Sequence, residues 1–232
     1  MSRLAMANVG LRRVTRGYLR RRYTILFYSL LGTLVAVPLL GALGLGGQVL
    51  EGFLALNLVA AALGVAERRQ RNVLLVVASA VLALRLGSDL HGAQWLATAS
   101  LALWSVLALL AAAETLRVAL RTRIADAEHV YAALSVYLLI GLFLGAVYFA
   151  LEEARPGSFA AAGGPETPDP FSRVDAIYFS FVTLATLGYG DVLPRSDVAR
   201  GLAIFEAVAG QLYVAVLVAL VIGSYARGPR SS

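Results

Sequence analysis

The sequence contains no cysteine and no lysine, only two histidines and two tryptophans, and charged side chains make up 15% of its 232 residues. Without cysteine there are no disulfides, no thiolate metal sites and no cysteine nucleophile, and the redox compartment stays open. So low a charge content, beside 59% hydrophobic residues and a mean hydropathy of +0.75, lies outside the balance of soluble globular domains. It implies a bilayer protein. Each crossing takes roughly 20 apolar residues, so this length holds about six and leaves little for a soluble domain.

The +6 net charge comes from 20 arginines, and taken alone it would suggest a nucleic-acid surface. Their placement argues otherwise. Apolar runs between charged breaks predict spanning helices near Tyr23–Leu43, Val49–Ala66, Val73–Leu86, Trp95–Leu120, Val130–Leu151 and Leu202–Ser224. A further helical stretch, Arg173–Thr186, is too short to cross and runs into a glycine-rich segment, so it reads as re-entrant. With the N-terminus inside, 15 arginines fall on the cytoplasmic side and five outside (Arg85, Arg155, Arg173, Arg195 and Arg200), together with most of the acids. Cytoplasmic loops collect positive charge in this way. The third span is the shortest, and Arg85 near its outer end has to reach the headgroups.

The expected fold is an all-α membrane protein of six transmembrane helices plus a re-entrant helix. It divides into a basic cytoplasmic segment (1–22), a four-helix transmembrane domain (23–122), a pore domain (123–226) and a C-terminal tail (227–232). Residues 1–22 exceed a signal n-region and precede a full span, so the segment is expected to be retained. It is either an amphipathic helix on the inner leaflet, presenting Leu4, Val9, Leu11, Val14 and Tyr18, or an unstructured basic tail. Prolines and glycines, among them Pro156, Gly157, Gly163, Gly164 and Pro165, crowd residues 151–171 and predict an extended external loop.

Between the re-entrant helix and the last span lies Thr186-Leu187-Gly188-Tyr189-Gly190, followed by Asp191. Non-helical backbone at membrane depth is tolerated only where protein or a water-filled cavity surrounds it. Aiming successive carbonyls at one axis demands alternating backbone conformations with some positive φ, which glycine accepts, so Gly188 and Gly190 are the expected positions. Thr186 adds a hydroxyl to its carbonyl, and Leu187 and Tyr189 alternate with the glycines. A helix ending at such a segment places its partly negative C-terminus there.

The run Thr183-Leu184-Ala185-Thr186-Leu187-Gly188-Tyr189-Gly190-Asp191 resembles the signature of the tetrameric potassium channel family, and the likeness covers approximately residues 130–225. The resemblance implies a homotetramer, this chain with three identical subunits around a central pore in the membrane lipids. It also implies K+ as the permeant ion, coordinated at Thr186, Leu187, Gly188 and Tyr189, with Gly190 completing the selectivity filter. Asp191 is similar to the acid at the outer mouth and Thr183 to the pore-helix threonine that braces the filter. Tyr178 and Phe179 match the aromatic cuff, where Phe179 brings no donor, so a bond from Tyr178 to Asp191 is the remaining option. Val182 stands where some members carry a glutamate, which argues against gating through a carboxylate pair behind the filter.

Gly210, in the middle of the last span, fits either a hinge or close helix packing, and Gly223 fits packing. Glu206 and Gln211 are polar on an apolar spanning helix, which is costly unless they are paired, protonated or wet. Glu206 either tunes cavity charge or senses protons, or is a structural carboxylate bonded to pore-helix backbone or Ser180. From Trp95 to Ala113 the fourth span has no charged residue, and Glu114, Arg117 and Arg121 come only at its end. A voltage sensor needs charges within the field, so the first four helices are expected to be a scaffold or a site for a lipid, small ligand or partner. His91 and His129 flank spans as solvated side chains or weak pH sensors.

With about eight residues after Ser224, no ligand-sensing C-terminal domain is expected on this chain. No nucleophile and base pair, metal cluster or phosphate loop stands out, so the chain is not expected to be an enzyme, to carry an organic cofactor or to bind nucleic acid. The function expected is passive K+ conduction without strong voltage gating, in a prokaryotic plasma membrane with both termini cytoplasmic. The alternatives are a weakly selective cation channel and a potassium transporter subunit sharing the pore fold, for which a single filter copy is too few.

Overall fold

The computed structural model describes residues 21–41, 127–161 and 171–225, with isolated helical positions at Val76, Ser79, Leu110 and Ala113. The expected spans Val49–Ala66, Val73–Leu86 and Trp95–Leu120 and the character of the N-terminal basic segment lie outside the described residues. The elements in chain order are α1 (Arg22–Gly41), α2 (Ala127–Ala154), β1 (Phe159–Ala161), α3 (Arg173–Leu184), β2 (Val192–Pro194) and α4 (Asp197–Tyr225). Among the described residues two helices, α2 and α4, are long and apolar enough to cross a membrane, and α1 is a shorter apolar helix.

The first helix buries Tyr23, Leu26, Leu30 and Thr33, a stripe at helical spacing that packs on α2. Its hydroxyls bond back to the helix, Ser29 to the Leu26 carbonyl and Thr33 to the Ser29 carbonyl, so neither needs water. Glu128, in the first turn of α2, accepts from the Tyr23 backbone N–H at 3.1 Å and from the Thr24 hydroxyl. A carboxylate at a helix N-terminus satisfies an orphan donor and complements the dipole. The bond also sets α1 and α2 side by side with their N-termini at the same end.

At 28 residues α2 is about 42 Å long. Its Gly141 and Gly145 form the gap into which α3 settles. A Cβ on Gly141 would stand 2.5 Å from the Phe181 ring, and one on Gly145 2.9 Å from the Ile177 backbone. Small residues four apart let two helices approach within a bilayer. The third helix has 12 residues, about 18 Å, which is too short to cross. Ser172 caps its N-terminus, accepting from Asp175 N–H, while Asp175 accepts from Ser172 N–H, a complete capping box.

Two departures from expectation concern the outer end. The segment expected as an extended loop from residue 151 continues as helix to Ala154, then forms β1, which pairs antiparallel with β2 in the register Phe159↔Pro194, Ala160↔Leu193 and Ala161↔Val192. Glu152 accepts from the N–H groups of Gly157 and Phe159 and so turns the chain into the strand. The last helix begins at Asp197 rather than Leu202, because Asp197 in its first turn and Ser196, whose Oγ accepts from Ala199 N–H, provide an N-terminal signal. Residues 162–170, with the remaining prolines and glycines of the expected loop, lie outside the described residues.

A core of Leu144, Tyr148, Phe159, Ala176, Phe179 and Ala199 joins α2, β1, α3 and α4. Its rings meet edge to face, Tyr148 on Phe179 at 5.1 Å and Phe159 on Phe179 at 5.3 Å, an arrangement favoured by the ring quadrupoles. The aromatic core therefore holds α3 against α2 and β1. By contrast α4 leaves most of its apolar surface open, including Ile204, Phe205, Val208 and Leu212.

Candidate functional site

The site starts at the C-terminus of α3. Ala185 closes the helix with φ −84° and ψ 1°, its N–H donating to the Phe181 carbonyl. Thr186 N–H donates to the Thr183 carbonyl at 3.0 Å, and Leu187 and Gly188 N–H both reach the Val182 carbonyl, at 2.8 and 3.4 Å. Phe181, Val182 and Thr183, near the end of α3, thus have their carbonyls bonded by the segment that follows. Thr183 and Val182 contribute backbone oxygens here, and Val182 buries its side chain as well.

From Thr186 onward the backbone alternates. Positive φ occurs at Thr186 (56°), Gly188 (59°) and Gly190 (77°), and not at Leu187 or Tyr189 between them. Glycine adopts such angles freely. Thr186 does not, and a non-glycine residue held there costs on the order of 1–3 kcal/mol; the expectation had placed positive φ at the two glycines only. A backbone that switches hand at every residue turns successive carbonyls to one side and successive side chains to the other, and Leu187 and Tyr189 are accordingly exposed in the single chain.

The outer end is tied by Tyr178, whose hydroxyl donates to Asp191 Oδ2 at 2.7 Å while Val192 N–H donates to Oδ1. The hydrogen bond to Asp191 pushes the Tyr178 phenol up to about 12. The same bond holds the Asp191 carboxyl below the usual carboxylate range. The Tyr178 ring lies parallel to Tyr189, with centroids 6.5 Å apart. Phe179, the other expected cuff residue, points instead into the core against Tyr148 and Phe159.

Glu206 is fully buried. Tyr148 of α2 donates to its Oε2 at 2.6 Å, and Ser180 of α3 lies 2.5 Å from its Oε1 and 2.7 Å from the Gly141 carbonyl. One side chain of α4 therefore fastens all three pore-domain helices, the geometry of the structural alternative. Gly210 sits in unbroken helix, and a Cβ there would stand 2.6 Å from the Leu184 carbonyl oxygen, so close packing explains the residue. A Cβ on Gly223 meets nothing within 4 Å among the described residues of the single chain. Gln211 donates from Nε2 to the Thr186 hydroxyl at 3.3 Å.

Sequence reasoning missed Tyr148 and Tyr213, whose hydroxyls tie α2 to Glu206 and α4 to the Ala133 carbonyl. Neither lies in a motif. It also missed Gly141 and Gly145, for which the G-x-x-x-G spacing was a usable signal. An apolar cavity of about 440 Å³ separates α1 from α3, lined by Thr33, Pro38, Leu142 and Phe181 with the side chains of Leu187 and Tyr189.

A short capped helix that runs into a segment of alternating backbone, cradled between two long apolar helices, is the arrangement of an ion-channel pore domain. Comparison with known proteins agrees: residues 136–226 match the family model described as "Ion channel". The chain is 35% identical over 63 residues to potassium channel protein kcv of Paramecium bursaria Chlorella virus 1, covering 27% of this chain and 67% of that protein. It is 33% identical over 96 residues to the inward rectifier potassium channel Kirbac3.1 of Paramagnetospirillum magnetotacticum (40% and 28% covered). With two pore potassium channel c of Oryza sativa subsp. japonica it shares 37% over 82 residues (35% and 16%). The chain belongs to the potassium channel family. It spans well under a third of the rice and Paramagnetospirillum proteins, and no solved structure matches it significantly.

Proposed function

We propose that the chain is one subunit of a K+-selective channel that conducts passively through a ring of backbone carbonyls from Thr186 to Tyr189, with Gly190 and Asp191 at the outer mouth. The observation that carries this reading is the alternation of φ at Thr186, Gly188 and Gly190 directly after a re-entrant helix. Carbonyl dipoles replace an ion's water shell without adding formal charge. One strand supplies one side of such a tunnel, so the reading requires four copies. The open apolar face of α4, with Phe205 and Ile204 two-thirds exposed, supports burial against neighbouring subunits.

The six-span topology, cytoplasmic termini and prokaryotic plasma membrane belong to the same proposal and rest on the arginine distribution. The first four spans serve as a scaffold beside the pore, supported by the packing of α1 along α2, and no organic cofactor takes part. Planar-bilayer recording of the purified protein with K+ and Na+ gradients is the test. A reversal potential that follows K+ is expected. Equal permeation would turn the reading into a weakly selective cation channel, saturating carrier-like flux into a transporter subunit, and a monomeric active species would end it.

A further inference from the structure

We infer that Gln211 is a positioning residue for the filter: its side-chain amide holds the Thr186 hydroxyl and so sets the innermost ring of oxygens that an ion meets. This rests on the channel reading above and adds a residue to it. Three features lead there. First, a primary amide on an apolar spanning helix is costly without a partner, and the described partner of Gln211 is Thr186 Oγ1, 3.3 Å from Nε2. Second, the contact exists only because α4 lies hard against the end of α3. Gly210, the preceding residue, would place any Cβ 2.6 Å from the Leu184 carbonyl oxygen, and Leu184 is two residues before Thr186. The pair Gly210-Gln211 acts together, the glycine bringing the helix in and the amide spanning the remaining gap.

Third, Thr186 is the one non-glycine described residue with positive φ, a conformation that persists only where the surroundings over-determine it. Backbone bonds hold its N–H to Thr183, but a threonine hydroxyl still rotates among three staggered positions. A hydroxyl has one proton and two lone pairs. If it is to face a cation, its proton must point away and one lone pair must face the axis. The Nε2–H donated by Gln211 occupies one lone pair of Thr186 Oγ1 and so anchors the oxygen, limiting the directions left to its second lone pair and its proton. Leucine or methionine at 211 would fill the same volume and leave the hydroxyl to choose its own rotamer.

The experiment uses the full chain in proteoliposomes and planar bilayers, with wild type, Gln211→Leu, Gln211→Met, Thr186→Ala, Thr186→Ser and the double variant Gln211→Leu/Thr186→Ala. The readouts are the K+/Na+ permeability ratio and the oligomeric state on sizing columns. Both Gln211 variants are expected to assemble normally while the ratio falls about tenfold, as loss of an ordinary hydrogen bond would bring. Thr186→Ser keeps a hydroxyl and is expected to stay sensitive to Gln211→Leu, whereas Thr186→Ala removes the group through which Gln211 acts, so the double variant matches Thr186→Ala alone. An unchanged ratio in both Gln211 variants, or additive losses in the double variant, overturns the inference. If wild type itself fails to select K+, the channel reading falls first, and the two failures are thereby separated.

Discussion

Replacing Gly210 by alanine separates a packing glycine from a hinge. The added methyl would stand 2.6 Å from the Leu184 carbonyl oxygen and 2.8 Å from Leu184 Cδ1, where ordinary contact begins at 3.4 Å, so α4 must withdraw from α3 by roughly 0.8 Å. Overpacking of this kind costs about 1–3 kcal/mol. Alanine recovers up to about 1 kcal/mol of that through better helix propensity, which leaves a net loss of about 0–2 kcal/mol per subunit. Gly223→Ala is the internal control, because its methyl meets nothing among the described residues and it is expected to gain up to about 1 kcal/mol. Thermal unfolding of the detergent-purified assembly reads the difference, with Gly210→Ala melting below wild type and Gly223→Ala at or above it. Bilayer recording of the same samples adds a functional readout, since a displaced α4 also draws Gln211 away from Thr186. Should Gly210→Ala melt with Gly223→Ala while only opening is altered, the packing argument is wrong and the hinge reading takes its place.

Glu206→Ala is expected to destabilise the folded subunit by about 2–5 kcal/mol, since it leaves the buried hydroxyls of Tyr148 and Ser180 without the carboxylate and opens a cavity; Tyr148→Phe should cost less, and equal melting of all three proteins would contradict the three-helix fastening. The Tyr178 phenol, pushed up to about 12 by Asp191, is expected to ionise closer to 10 in Asp191→Asn, read by ultraviolet difference absorbance. The sign follows from both partners: the raised phenol makes the bond stabilising at neutral pH and lost as pH climbs through about 12, and the lowered Asp191 carboxyl makes it lost again only as pH falls below the ordinary carboxylate value of 3.8. Tyr178→Phe should remove both limbs, and unchanged gating and stability in that variant would show the bond to be idle. Gly145→Ala, whose methyl would stand 2.9 Å from the Ile177 backbone, should loosen α3 from α2 and lower the melting temperature.

How much of this was legible beforehand depends on how far apart the interacting residues lie. The positive φ at Gly188 and Gly190 was readable because it is local: two glycines spaced by one residue after a short helix mark where such angles are easiest. The positive φ of Thr186 was not readable, since its Cβ argues against that conformation and only the bonds from the end of α3 impose it. Hydropathy found α2 and the C-terminal end of α4 to within a few residues and missed the first turn of α4, and the three-residue strands β1 and β2 are too short to show any alternation. Their pairing joins positions more than thirty residues apart.

Composition and local pattern by themselves settled that this chain is helical and apolar enough for a membrane, and where its glycine-rich segment of alternating backbone lies, because hydropathy and backbone preference are properties of neighbouring residues. Tertiary structure alone decided what Glu206, Gly210 and Gln211 do. Their partners, Ser180, Leu184 and Thr186, lie 25 or 26 residues away along the chain. Only the docking of α3 into the glycine gap of α2, with α4 closed over it, brings those atoms within bonding distance.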